Sequence, residues 1–197
     1  MKKVLATFLL VFMCLTMLTG CQQTKATKLT YKPFSDDEQY LLSLTDNKIL
    51  MYNLKNLPTN NKYTITLTYE VYKDSKKIED EIITQAYYDG SSKKDTKTET
   101  IGINITSDKI RCITASDSAY YNNKLDIDED LPKCSESFLA NDVDLQPGKD
   151  IYLYYATNSS HLSNDLTMGT PIEDNKLNEI IKENELNAFI KLKFEEN

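Results

Sequence analysis

Between Lys62 and Lys73 the chain alternates without a break. Tyr63, Ile65, Leu67, Tyr69 and Val71 hold one parity; Thr64, Thr66, Thr68 and Glu70 hold the other. Successive side chains of a strand point to opposite faces, so this pattern predicts a half-buried β-strand with the apolar set inward and the Thr/Glu set toward water. A slip of one residue would turn the whole apolar set into solvent, so the pairing is strongly specified.

The same period recurs along the chain. It predicts strands at Tyr40–Leu44, Ile49–Leu54, Lys77–Ile83 (or on to Tyr88), Thr98–Thr106, Lys109–Thr114, Ile151–Tyr155 and Ala188–Phe194. Asp74-Ser75 falls between two of these segments and reads as a hairpin turn. Residues 115–147 are less regular and rich in Asp, Asn and Ser. Near the end the period changes: Leu177, Ile180 and Ile181 have helical spacing, with Asp174 or Asn175 as N-cap. The expected fold class is all-β: an antiparallel, immunoglobulin-like β-sandwich of about eight strands with one short C-terminal helix. An open barrel is the alternative. Residues 38–197 form the single domain, with no internal repeat.

The start of the chain has a different character. Lys2 and Lys3 precede Val4–Leu18, an uncharged apolar run of secretory length. Polar residues follow at Gln22, Gln23 and Thr24, without the basic cluster that would stop transfer. At the junction, Leu18-Thr19-Gly20-Cys21 is an aliphatic residue, two small residues and a thiol. This quartet resembles the lipobox of bacterial lipoproteins. The resemblance covers residues 1–21 and implies that residues 1–20 are a signal peptide. It further implies that Cys21 carries a diacylglyceryl group and becomes the first mature residue. The membrane would then be a partner through the lipid anchor, with the protein on its extracytoplasmic face. Two acyl chains give durable anchorage where one is marginal. Residues 21–37 read as a flexible polar tether, with an r.m.s. reach of roughly 20 Å. Beyond the lipobox, a composition rich in Lys, Asn, Asp, Ile and Tyr broadly resembles small lipoproteins of low-GC Gram-positive bacteria.

Charge narrows the partners. The whole chain has a formal net charge of −7, and loss of Lys2 and Lys3 makes it more negative. That disfavours nucleic acid and anionic lipid head groups as partners. Cys14 leaves with the signal and Cys21 is consumed, so Cys112 and Cys134 remain. Outside the cytoplasm they form either a disulfide or two separate thiols.

Three features are candidate sites. Asp126, Asp128 and Asp130 alternate as at the start of a calcium loop. The sixth and twelfth positions, however, are Leu131 and Ser137 rather than the required Gly and Glu, leaving at most a weak, different calcium site. His161, the sole histidine, lies in a Ser/Asn/Asp-rich loop, where mere adjacency of Ser, His and Asp does not make a triad. The third feature is tyrosine, thirteen in all, with doublets at Tyr87-Tyr88, Tyr120-Tyr121 and Tyr154-Tyr155. A doublet in a strand puts one ring on each face, so one of Tyr87 and Tyr88, and one of Tyr154 and Tyr155, should be exposed as an aromatic binding surface.

No acid–base pair, nucleophile motif, metal motif or cofactor motif emerges. The expected function is a non-catalytic binding module for a protein or carbohydrate. The alternative is a sensor of a ligand or cell-wall fragment that presents to a membrane partner. A hydrolase is the third reading.

Overall fold

The computed structural model describes residues 26–45, 47–58, 61–88, 98–115, 120–160, 162 and 168–196. The protein is mostly β, in two antiparallel sheets packed on one core. One sheet contains β1 (Lys28–Tyr31), β2 (Lys48–Lys55), β5 (Thr98–Ile105), β6 (Lys109–Ala115), β7 (Tyr120–Asp126) and β9 (Val143–Asp144), in the order β7-β6-β5-β2-β1-β9. The other contains β3 (Tyr63–Lys73), β4 (Lys76–Tyr88), β8 (Ser135–Phe138), β10 (Asp150–Thr157) and β11 (Leu186–Glu196), in the order β4-β3-β11-β10-β8. Two helices, α1 (Asp36–Ser43) and α2 (Asp174–Glu183), accompany them.

The inward set of β3 is as the alternation predicts: Ile65, Leu67, Tyr69 and Val71 are inaccessible and Tyr63 nearly so. They face Leu50, Tyr52 and Leu54 of β2 and Ile101, Ile103 and Ile105 of β5 across the core. Tyr52 also ties the layers by hydrogen bonds. Its hydroxyl donates to the Leu139 carbonyl at 3.1 Å and the Leu153 carbonyl at 3.3 Å. This satisfies a buried phenol that would otherwise oppose folding.

Tyr40–Leu44 is helix, not strand. Ser35 and Glu38 form a reciprocal capping box that starts α1. Tyr40, Leu41 and Leu44 stand exposed on it, and no residue of α1 is buried. Five alternating residues are too few to outweigh a capping box.

The stretch expected to be a tether also contains structure. β1 pairs with β2 from Lys28↔Lys55 to Tyr31↔Tyr52 and with β9 on its other side. Leu29 is fully buried, and Thr27 accepts a backbone hydrogen bond from Leu145 at 2.7 Å. One buried Leu in a short strand cannot show as a period in the sequence. The irregular region holds β7, β8 and β9, which are polar or very short and so lack alternation. Eleven strands and two helices thus stand among the described residues, against about eight and one expected.

The sheet of β3, β10 and β11 is covered on both faces. Ile180 and Ile181 of α2 pack on Tyr72, Tyr152, Tyr155 and Phe189, on the face away from the main core. The α2 N-cap is Glu173, one residue before the predicted position.

Candidate functional site

Cys21 and His161 lie outside the described residues. The remaining candidates have definite places.

The Tyr154-Tyr155 pair is buried on both faces, which overturns its expected exposure. A bulge explains the arrangement. Tyr152 pairs with Lys191 and Tyr154 with Ile190, leaving Leu153 as the extra residue. The shift puts Tyr154 in the main core and Tyr155 on the opposite face. There α2 covers Tyr155, and its ring stacks on Phe189 at 4.9 Å. Both phenols are satisfied. Tyr154 donates to Glu136 at 3.1 Å and Tyr155 to Asn187 at 2.9 Å. The doublet argument assumed one wet face, and this sheet has none at that position.

Tyr87 is 58% exposed. Tyr88 turns inward, half-buried, and its ring stacks on Tyr63 with centroids 4.4 Å apart.

Cys112 and Cys134 are both free thiols, so the bridge is not formed. Cys112 points into the core from β6, where burial pushes its thiol up to about 12. Cys134 follows a 3-10 turn (Leu131–Lys133), and its sulfur lies 3.8 Å from the Asp130 carbonyl. Burial and the neighbouring carboxylates, Asp130 first, raise its pKa as well. Neither thiol is an activated nucleophile at neutral pH.

The acidic run does not converge on a cation. Asp126 is 4.0 Å from the Lys124 ammonium, Asp130 pairs with Lys133, and Glu129 accepts the Tyr69 hydroxyl at 3.1 Å. Among the described residues no group of three His, Cys, Asp or Glu side chains could hold a metal ion.

Two buried carboxylates carry signals that alternation hides. Glu70, expected to face water, is 2% exposed. It accepts from Lys77 at 2.7 Å, from Lys191 at 2.8 Å and from the Tyr72 hydroxyl at 3.3 Å, and Asp150 holds the far side of Lys191 at 3.0 Å. Burial alone would pull the Lys77 ammonium down. Hydrogen bonds to Glu70 and Asp80 outweigh it, and its pKa is raised. A charge can leave water on this face because two cations follow it.

Glu99 is the second, and it is different. It is 1% exposed on the inward parity of β5, beside Ile101. Neither carboxylate oxygen has a hydrogen-bond partner. Burial pushes its carboxyl up to about 7. Its charge, after burial, helps raise the pKa of Tyr63. The hydroxyls of Tyr88 and Thr114, also buried, are likewise unpaired. Its odd-numbered place in the Ile101, Ile103, Ile105 series was the available signal: an acidic residue on an apolar parity.

These residues gather at one end of the sandwich. Lys28, Lys55 and Thr98 share a register row, and Leu54 pairs with Glu99 one row deeper. In the second sheet Tyr63 pairs with Tyr88 and Glu196, again at strand ends. Backbone bonds from Leu145 to Thr27, within the first sheet, and from Gly148 to Phe194, within the second, lie there too, where the chain passes from β9 to β10. The chain enters its first strand at this same end. Among the described residues no helix is long and apolar enough to cross a membrane. No family model, curated protein or solved structure matches this chain.

Proposed function

We propose that the chain is an extracytoplasmic lipoprotein of the cell membrane, anchored by lipid on Cys21. Its domain acts as a non-catalytic interaction module for a protein or carbohydrate partner. The observation that carries the anchorage is the order of parts: two lysines, an apolar run, then Leu18-Thr19-Gly20-Cys21 and a polar start. The folded domain begins only a few residues later, at Thr27 and Lys28. Every described strand and helix therefore lies on the mature side of Cys21.

The non-catalytic part is supported by the pairing of two carboxylates and by the state of both thiols, although Glu99 stays unpaired. Glu70 holds two lysines, and Glu136 holds Lys48 and the Tyr154 hydroxyl. Both thiols are held protonated by burial. The apolar side chains of α1, displayed on a helix with no buried residue, favour an interaction role. The immunoglobulin-like arrangement belongs to this proposal. It is supported by two antiparallel sheets between which the chain passes repeatedly, at β2–β3, β4–β5, β7–β8, β8–β9 and β9–β10.

Replacement of the anchor residue tests the reading. In a bacterium that processes lipoproteins, Cys21→Ala should leave the precursor uncleaved and abolish the mature, membrane-bound form. A shortened product released to the medium at normal yield would mean an ordinary signal peptidase acts and the lipobox reading is wrong.

A further inference from the structure

We propose that Tyr87, Tyr120 and Tyr121 dock one end of the domain onto the lipid bilayer that carries the anchor. The inference rests on lipidation of Cys21. The occupant follows from the length of chain outside the described fold and the point where that chain meets it. Thr27 is buried and Lys28 already pairs, so Gln22–Ala26 alone separate the acylated cysteine from the fold. Six residue steps span at most roughly 20 Å when extended. An extended span of that length crosses a headgroup layer of about 6 Å and leaves at most about 14 Å beyond it, so the end holding Lys28 is held close to the membrane surface.

That end carries three of the four exposed tyrosines among the described residues. Tyr87 is 58%, Tyr120 63% and Tyr121 47% exposed. Their level can be read from the registers. Tyr120 pairs with Ala115, which pairs with Thr100; Thr100 pairs with Asn53 and Asn53 with Thr30. Tyr120 is therefore two residues deeper than Lys28, roughly 7 Å along the strands. Tyr121 is one residue further. Tyr87 pairs with Thr64, next to the Tyr63–Glu99 end of the sandwich. The three rings stand on the two edge strands, β4 and β7, which a side-chain bond from Asn123 to Thr84 holds together at 2.7 Å.

Tyrosine suits this place chemically. Its ring has an apolar body and a polar tip, and it concentrates where hydrocarbon meets water. It carries no charge, so the contact does not depend on anionic headgroups that an acidic protein would repel. The remaining exposed apolar residues include Ile78, beside the Asp74–Ser75 hairpin at the other end of β4. That end points away from the bilayer.

The test places a photoreactive residue at single exposed positions of the full chain, expressed in a lipoprotein-processing bacterium. Tyr87→p-benzoylphenylalanine and Tyr120→p-benzoylphenylalanine are compared with Ile78→p-benzoylphenylalanine after irradiation of whole membranes. All three sites are exposed, so folding should survive. Docking predicts phospholipid adducts at positions 87 and 120 several-fold above position 78. Equal or absent lipid adducts on a protein whose Cys21 is acylated would overturn docking while leaving the anchor intact. Adducts to another protein at 87 and 120, without lipid, would also overturn it. Absence of fatty acid on Cys21 would overturn the anchorage, and docking with it.

Discussion

Glu99 shows how much one side chain can set. A carboxyl whose folded pKa is near 7, against 4.5 in the open chain, binds its proton more tightly when folded. Between those values the folded state holds more protons than the unfolded one, so stability falls as pH rises from about 4.5 to 7 and levels off above. The full effect is about 3 kcal/mol. Glu99→Gln, which keeps the shape and removes the charge, should flatten that slope and stabilise the protein at pH 8 by an amount of that order. Urea unfolding of the mature domain at pH 5 and pH 8 measures both. Equal midpoint shifts of wild type and variant at the two pH values would show that Glu99 is not buried as an acid. The residue was legible only as an exception to parity. The Tyr154-Tyr155 doublet shows the converse: the alternation Ile151, Leu153, Tyr155 is clear in the sequence, but a bulge at Leu153 breaks it. A bulge leaves no mark in a period-two pattern. Glu70 was misplaced for a related reason, since the lysines that accompany it come from residues 77 and 191 and meet it only in the fold.

At the scale of elements, long alternating strands were legible and short or polar ones were not. β3 could be read from five apolar residues of one parity, whereas β1 has one buried Leu and β7 has no buried residue. β4 lies between these cases. Its register shifts leave Ile78 and Ile83 unpaired, so Ile82 faces water and Ile83 the interior. α1 was misread as a strand, and its signal lay in its cap rather than its period. The Ser35 hydroxyl accepts from the Glu38 amide at 3.4 Å, and Glu38 accepts from the Ser35 amide at 2.8 Å. Donation to that carboxylate by the Ser35 amide and then by the Ser35 hydroxyl holds it below its usual pKa. Ser35→Ala should weaken the helix by about 1 kcal/mol. Because α1 buries nothing, global unfolding should change little. The change should instead appear as faster hydrogen exchange at the Gln39 amide, which donates to the Ser35 carbonyl. Unchanged exchange there would mean that the box does not hold the helix.

The whole molecule combines an apolar start, Val4–Leu18, with an acidic remainder. The domain buries its apolar residues between two sheets and beneath α2 and shows no membrane-crossing helix among the described residues. In the proposed reading, attachment to the membrane rests on Cys21, and the few residues between it and β1 set which end of the sandwich meets the lipid. The most direct measurement is the mass of the N-terminal peptide of protein extracted from membranes. The account predicts a peptide that begins at Cys21, with its sulfur in a thioether to a diacylated glycerol. A membrane-extracted peptide that begins elsewhere, or one that begins at Cys21 with a free thiol, would contradict it.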